Sequence, residues 1–505
     1  MATDTKIPTS VPGLDEILLG GFVPVGFYLV QGDPGAGKTT FGLQYLQGRA
    51  KAGETALYVS LTESRAELDR IAESHGWSLK GVEISELVRA AGPADMEPSV
   101  YHPSDTELGD IFKAVLAAVE RVKPSHVVLD GISELRLLAG DALRYRRQLL
   151  SLKEFFARRG TTVVLLDDRT AQFGEIQPES LVSGNIVLER TLPLYGRARR
   201  RLFVTKVRAS TFREGYHEYE ILSGGVTVHP RIVAADHHHR FSRQQCPSGI
   251  KELDDMLNGG LSTGTTTLLL GPAGAGKSTI SMQYVVNALA AGKKAAVYIF
   301  DEVMGTLIER SEKLCLLKEG GIRSYIAEGL LHLQQIDPAE MSPGAFAHEV
   351  RRAVDSGATI VVIDSLNGYM NAMPEESFLT THLHELFAYL NQKGVTTIMV
   401  VAQHGLLIGP GTTANDVDVS YLADTVLLLR YFESRAEIRQ AISVFKHRSG
   451  PHERSLRELK IDQSGIRIGA KLADFTGIIT GIAVYEGRAE MLPPKDGNSA
   501  DRQSR

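Results

Sequence analysis

The 505-residue chain has only two cysteines, Cys246 and Cys315, so it has no disulfide framework to hold it together. A reducing, cytoplasmic setting is therefore expected. No apolar run approaches the ~18 residues needed to cross a bilayer, and the opening stretch MATDTKIPTS has no apolar core of a secretory leader, so no membrane association is expected. A large charge of one sign is missing too: 60 acidic residues face 55 basic ones, a formal net charge of -5 at pH 7. A sequence-independent grip on nucleic acid would then need a local basic patch. The run YGRARRR at Tyr195–Arg201 is one such patch, and its simplest reading is a solvated turn between two strands.

What is present is a soluble globular composition, 43% hydrophobic and 23% charged, in a chain too long for one ordinary core. A duplication accounts for the length. GDPGAGKTT at Gly32–Thr40 returns as GPAGAGKST at Gly271–Thr279, and the flanks come with it. Asp15 pairs with Asp254, Gly20 with Gly259 and Lys38 with Lys277, all 239 residues apart. Downstream, PSHVVLDGIS around Asp130 matches ATIVVIDSLN around Asp364, and GTTVVLLDD from Gly160 matches GVTTIMVVAQ from Gly394, both offset by 234.

In each half, short β-branched apolar runs such as FYLVQG and ALYVSL alternate with longer stretches at helical spacing such as ELGDIFKAVLAAVERV. Continuous apolar strands alternating with helices predict an α/β fold, here two tandem domains, each a mostly parallel sheet flanked by helices. The polar segment AADHHHRFSRQQCPSG places the join at about residue 240, giving domains 1–240 and 241–486, with 487–505 as a disordered tail. The run His237, His238, His239 reads as a solvated linker, because adjacent histidines diverge in direction and make a poor metal site.

Both loops satisfy G-x-x-x-x-G-K-[ST] between an apolar strand and a helical pattern. In such a loop, glycines let backbone N–H groups converge on phosphates at a helix N-terminus. The first nucleotide loop comprises Gly32, Gly35, Ala36, Gly37, Lys38, Thr39 and Thr40; the second comprises Gly271, Gly274, Ala275, Gly276, Lys277, Ser278 and Thr279. Lys38 and Lys277 are expected on the β and γ phosphates of ATP, Thr39 and Ser278 on Mg2+, and the strand-ending Asp130 and Asp364 on that metal through water.

Hydrolysis needs a carboxylate to activate the attacking group. Glu63 in LTES and the pair Asp301 and Glu302 in FDEV follow the next strand of each half. Positive charge for the transition state is expected from Lys206 with Arg208 in TKVRAST and from Lys446 with Arg448 in FKHRSG; residues two apart on a strand share a face.

Together the tandem loops, LTES and FDEV, the two Lys-x-Arg strands and the long segment VSYLADTVLLLRYFESRAEIRQAISVFKHRSG resemble the KaiC family, the double-domain ATPases of the cyanobacterial clock and their relatives in the RecA superfamily. The resemblance covers about residues 8 to 470. It implies RecA-like P-loop domains and ATP-dependent hexameric rings with nucleotide between subunits and the Lys-x-Arg pair acting across the interface. It further implies an ATPase first ring, a second ring with serine/threonine autokinase activity, and a KaiB-like or other signalling partner. Two departures bear on this. The family's adjacent glutamates in the first ring become Thr62 and Glu63, which weakens the expectation of hydrolysis there. The family's Ser-Thr phosphosite pair becomes Ser420 and Tyr421, leaving Ser420 as the expected phosphosite and a dual-site cycle in question.

A RecA- or RadA-type DNA-binding recombinase is the competing class. Mild acidity and the lack of a helix-hairpin-helix or zinc module weigh against it, and the basic run weighs for it. A binding module that holds ATP as structural glue is the third reading.

Overall fold

A computed structural model describes residues 5–87, 103–169, 178–194, 196–238, 240–314, 321–337, 339–371, 379–402, 420–434, 436–478 and 484–485. The side chains of 103–107 and of 371 stand outside that description, as do His239, Tyr195 and the 487–505 tail. The chain divides into two compact units, Met1–Ile232 with Ala339–Arg351, and Val233–Pro338 with Arg352–Arg505.

The first unit is built on a nine-stranded sheet. Its strands are β1 (Phe27–Gly32), β2 (Ala56–Ser60), β3 (Val82–Glu86), β4 (His126–Asp130), β5 (Thr162–Asp168), β6 (Gly184–Thr191), β7 (Arg199–Val207), β8 (His217–Leu222) and β9 (Gly225–His229). Their order is β3-β2-β4-β5-β1-β6-β7-β8-β9. The six strands from β3 to β6 run parallel, and β7, β8 and β9 return as antiparallel hairpins.

The apolar runs produce this sheet because both of its faces are covered, so consecutive residues must all be apolar. Tyr28 and Val30 of β1 pack into one core with Tyr58, Val128, Val164 and Leu166. Phe27 and Leu29 pack into the other with Leu57, Val59, Val127 and Leu165. The period of two sends neighbours in sequence to opposite layers.

The second unit repeats the plan. Its nine-stranded sheet is formed by β12 (Thr266–Gly271), β13 (Lys294–Ile299), β14 (Leu331–Gln335), β15 (Ala358–Asp364), β16 (Thr396–Ala402), β17 (Thr425–Ser434), β18 (Glu437–His447), β19 (Arg457–Asp462) and β20 (Gly465–Lys471), in the order β14-β13-β15-β16-β12-β17-β18-β19-β20. A two-stranded ribbon, β10 (Gln245–Cys246) with β11 (Leu261–Ser262), precedes it. Two parallel-led sheets of one topology match the tandem RecA-like architecture expected from the sequence.

The repeated flanks have a structural use. Asp15 Oδ1 accepts from the Thr9 N–H at 2.8 Å and its hydroxyl at 2.7 Å, and Asp254 Oδ1 accepts from the Ser248 N–H at 2.7 Å and its hydroxyl at 2.8 Å. Each aspartate pins the segment that enters the unit. The glycine pair that follows must be glycine: Gly21 and Gly260 have φ of 114° and 113°, and an added Cβ would stand 2.1 Å from the Ile7 carbonyl oxygen and 2.7 Å from that of Cys246.

Within the hairpins of the first unit, His217 is 1% exposed. Its Nδ1 accepts the Arg231 N–H at 2.9 Å, which leaves Nε2 to donate to the Arg213 carbonyl at 3.2 Å. Burial pushes its pKa down to about 4, opposed by that carbonyl and assisted by the charges of Arg231 and Arg213. The folded pKa lies below the ordinary 6.5, so the contribution to stability is complete above pH 6.5 and is lost as pH falls toward 4. The urea midpoint of the first unit should therefore drop between pH 7 and pH 4.5, by a loss on the order of 2 kcal/mol, and His217→Gln should flatten that drop; an equal drop in both proteins would refute the assignment.

Candidate functional site

Parallel strands bring their carboxyl ends to one edge, and the chemistry gathers there. Gly32 ends β1 and Gly271 ends β12; each opens a loop that runs into a helix, Lys38–Lys51 or Lys277–Ala290. The turn into each helix is left-handed at Gly37 (φ 97°) and Gly276 (φ 94°), where a Cβ would come within 2.4 Å of Ile221 Cδ1 and 2.2 Å of Ile461 Cδ1. Glycine is therefore required by backbone conformation and by packing. The loop N–H groups and the helix N-terminus together form a cradle for phosphate.

Lys38 donates from Nζ to the carbonyls of Gly32 at 2.8 Å and Asp33 at 3.2 Å; Lys277 does the same to Gly271 at 2.9 Å and Pro272 at 2.7 Å. The ammonium thus curls over its own loop in both units. Burial lowers the pKa of Lys277, while the Asp364 carboxylate opposes that shift.

Thr39 Oγ1 donates to Asp130 Oδ2 at 2.9 Å, and the Tyr58 hydroxyl makes a short bond to the same oxygen. Burial pushes Asp130 up to about 6, against the two hydroxyl bonds and the Lys38 charge. In the second unit Ser278 hydrogen-bonds Asp364, whose pKa burial also raises. The hydroxyl–carboxylate pair that the sequence proposed is thus adjacent in both units. All of its donors are hard oxygens beside the loop, the set that suits Mg2+.

The candidate bases differ between the units. The Glu63 carboxylate accepts from the Thr62 hydroxyl at 2.5 Å, and its backbone is tied to Ser60. Glu302 is gripped in two places by Arg310, at 2.5 and 2.8 Å, while the neighbouring Asp301 takes a short bond from Ser365, directly after Asp364. Asp301 and Glu302 therefore point to different partners.

The cation pairs stand apart from their own loops. Lys206 Nζ donates to the Glu179 carbonyl and Arg208 Nη2 to the Ser180 carbonyl at 2.9 Å. Lys446 Nζ donates to the Ser420 carbonyl at 3.0 Å, and Arg448 Nη1 lies 3.7 Å from Asp424. The Arg448 N–H bonds the Asp424 carbonyl, and the Asp424 N–H bonds that of Thr266, which sets Arg448 level with the start of β12. The loop leaves the other end of that strand, and six residues rising ~3.3 Å each separate the ends by roughly 17 Å. Ser420 opens a short 3-10 turn, Ser420–Leu422, just before β17; residues 403–419, leading into it, lie outside the described residues.

Sequence reasoning missed four participants: Tyr58, which bonds Asp130; Arg310, which clamps Glu302; and the carboxylates Asp167 and Asp168 at the end of β5. The doubled aspartate at a strand's carboxyl end was the available signal. Arg199–Arg201 of the basic run lie on β7, where Arg201 stacks on Tyr216 and, with Arg169, faces Glu189. His237 packs edge-on against Tyr389, and no cluster of three metal-binding side chains occurs among the described residues. Among those residues no helix is long and apolar enough to cross a membrane.

The family model described as "ATPase: KaiC" matches this chain twice, over residues 7–232 and 246–473. Among similar curated proteins, the circadian clock protein KaiC3 of Synechocystis sp. is 25% identical over 96% of both chains. The circadian clock oscillator protein KaiC of Parathermosynechococcus lividus is 27% identical over 94% of this chain and 87% of its own. That of Synechococcus elongatus is 27% identical over 94% and 91%. Matched along both repeats and over nearly its whole length, the chain belongs to the KaiC family of tandem-domain ATPases.

Proposed function

We propose that the chain assembles as a homo-hexamer of two stacked rings, binds ATP with Mg2+ at both loops, and uses the second ring as a serine autokinase in signalling or circadian-type timing. A cytoplasmic location and a KaiB-like or other signalling partner belong to the same reading. The observation that carries it is the separation of each Lys-x-Arg pair from its own loop. Cations held level with the start of β1 and β12 cannot serve phosphates at the far end of the same strand, but they suit a neighbouring subunit's nucleotide. The names of the relatives, clock oscillator proteins, support a timing role.

In this reading Lys38 and Lys277 hold the β and γ phosphates, and Lys206 with Arg208, or Lys446 with Arg448, neutralise charge from across the interface. Thr39 with Asp130, and Ser278 with Asp364, hold Mg2+, which when bound draws charge off the phosphates. Glu63 and Glu302 orient the attacking group, Glu302 with its carboxylate plane set by Arg310. Adding Mg2+–ATP should shift the protein to a six-chain species in sedimentation, and Lys277→Ala should remove about one bound nucleotide per chain. Glu302→Gln should cut second-ring phosphate release on the order of 100-fold, a typical loss when proton transfer is removed. A stable monomer in saturating ATP would overturn the ring, and unchanged stoichiometry the loop assignment.

Ser420 is the proposed acceptor. Its place beside Lys446, at the cation end of the sheet, supports this reading, in which that end meets a neighbour's loop. Its hydroxyl would give its proton to Glu302 of that neighbour, with Asp301 adjacent, as Oγ bonds the γ-phosphorus, the bond from that phosphorus to the β,γ-bridging oxygen breaks, and ADP leaves. Tyr421 carries its hydroxyl ~6 Å farther from the backbone, so one geometry does not serve both. Phosphopeptide mapping after incubation with Mg2+–ATP should find phosphate on Ser420, absent in Ser420→Ala and reduced in Glu302→Gln; phosphate undiminished in the Glu302 variant would sink the mechanism.

A further inference from the structure

The two loops share one backbone plan and differ in one ion pair. In the first unit Lys38 Nζ lies 2.6 Å from Asp168 Oδ1, in addition to its two loop carbonyls. Sheet register explains the meeting, because Asp168 is paired with Gly32, the residue that opens the loop. In the second unit the same register pairs Gly271 with Ala402. The methyl group there carries no charge, and among the described contacts the Lys277 ammonium donates only to Gly271 and Pro272.

The neighbouring carboxylate does not share the role. Asp167 sits on the other face of β5, 2% exposed, and is matched by a close bond to Arg136. Its counterparts at the same offset, Val401 for Asp167 and Met370 for Arg136, are apolar. The strand-ending Asp130 and Asp364 occupy the same place in both units, each bonded by the loop hydroxyl, so they do not distinguish the two lysines. Among the described residues, Asp168 is the carboxylate that forms an ion pair with Lys38, and its register equivalent beside Lys277, Ala402, carries no charge. Arg190 is a second difference, of opposite sign: a Cβ on Gly35 would lie 3.0 Å from its Nη1, whereas over Gly274 the equivalent neighbour is the Tyr431 hydroxyl at 2.8 Å.

We propose that Asp168 is a built-in counter-ion of the first loop, competing with nucleotide phosphate for the Lys38 ammonium and raising the ATP concentration at which the first site fills. The inference rests on the reading of both loops as ATP sites. A nucleoside triphosphate that takes up Lys38 must displace the Asp168 carboxylate and then lie beside it, so the carboxylate acts against binding twice. Among the described residues the second loop, with Ala402, carries no such competitor. Lys38 is 11% and Asp168 40% exposed, so the effect is partly screened and should weaken with salt.

The test uses the full chain and a fluorescent ATP analogue with Mg2+. In a Lys277→Ala background, which isolates the first site, Asp168→Asn should tighten binding by about five- to tenfold at low ionic strength, the gain should shrink at 0.5 M salt, and Asp168→Glu should keep the parent affinity. In a Lys38→Ala background, Ala402→Asp should weaken the second site by a similar factor. If Lys38→Ala leaves first-site binding intact, the ATP reading of that loop fails. If Lys38 is needed but Asp168→Asn leaves affinity unchanged, weakens it, or gives a gain indifferent to salt, the counter-ion proposal fails alone.

Discussion

Everything chemical in each unit depends on the parallel, in-register alignment of the central strands. Because β4, β5 and β1 run parallel in a fixed register, Asp168 stands beside Gly32 and Asp130 beside Leu166, two residues short of that level, and all three arrive at one carboxyl edge. The same holds for Asp364, Ala402 and Gly271. The hydroxyl of Thr39 can bond Asp130 across 91 residues of sequence only because the helix it starts lies over that edge. A slip of one residue would turn these side chains to the opposite face and into the apolar layers.

The duplication was conserved in its backbone and released in its charges. Aspartates that pin the entering segment, glycine pairs that no other residue fits, and the left-handed turn into the loop helix appear twice with nearly equal angles. These features determine whether the cradle forms at all. Side chains at the strand ends do not support the core, so they could diverge: Asp168 against Ala402, Arg190 against Tyr431, a lone Glu63 against Asp301 with Glu302. The result is two cradles of one shape in different electrostatic surroundings.

The antiparallel hairpins add a second polarity. They turn the chain back at the far side of the sheet, so the cations of β7 and those at the end of β18 finish level with the strand starts, opposite the phosphate cradle. A single unit thus carries a cradle at one end and a cation pair at the other. That head-to-tail character fits heterologous assembly into a ring.

The sequence alone determined the duplication, the α/β class, both phosphate loops, and the Asp130 and Asp364 partners. Each of these is written in contiguous residues whose spacing has one cheap physical solution: an apolar run bounded by Gly-x-x-x-x-Gly-Lys, or a strand that ends in aspartate. Tertiary structure alone decided that Tyr58 and Arg310 belong to the sites, that Asp301 and Glu302 turn to different partners, that the Lys-x-Arg pairs lie away from their own loops, and that Asp168 holds Lys38. The reason is that a hydrogen bond or ion pair joins atoms by their positions in space. Register between strands far apart in sequence sets those positions, and no local pattern encodes it.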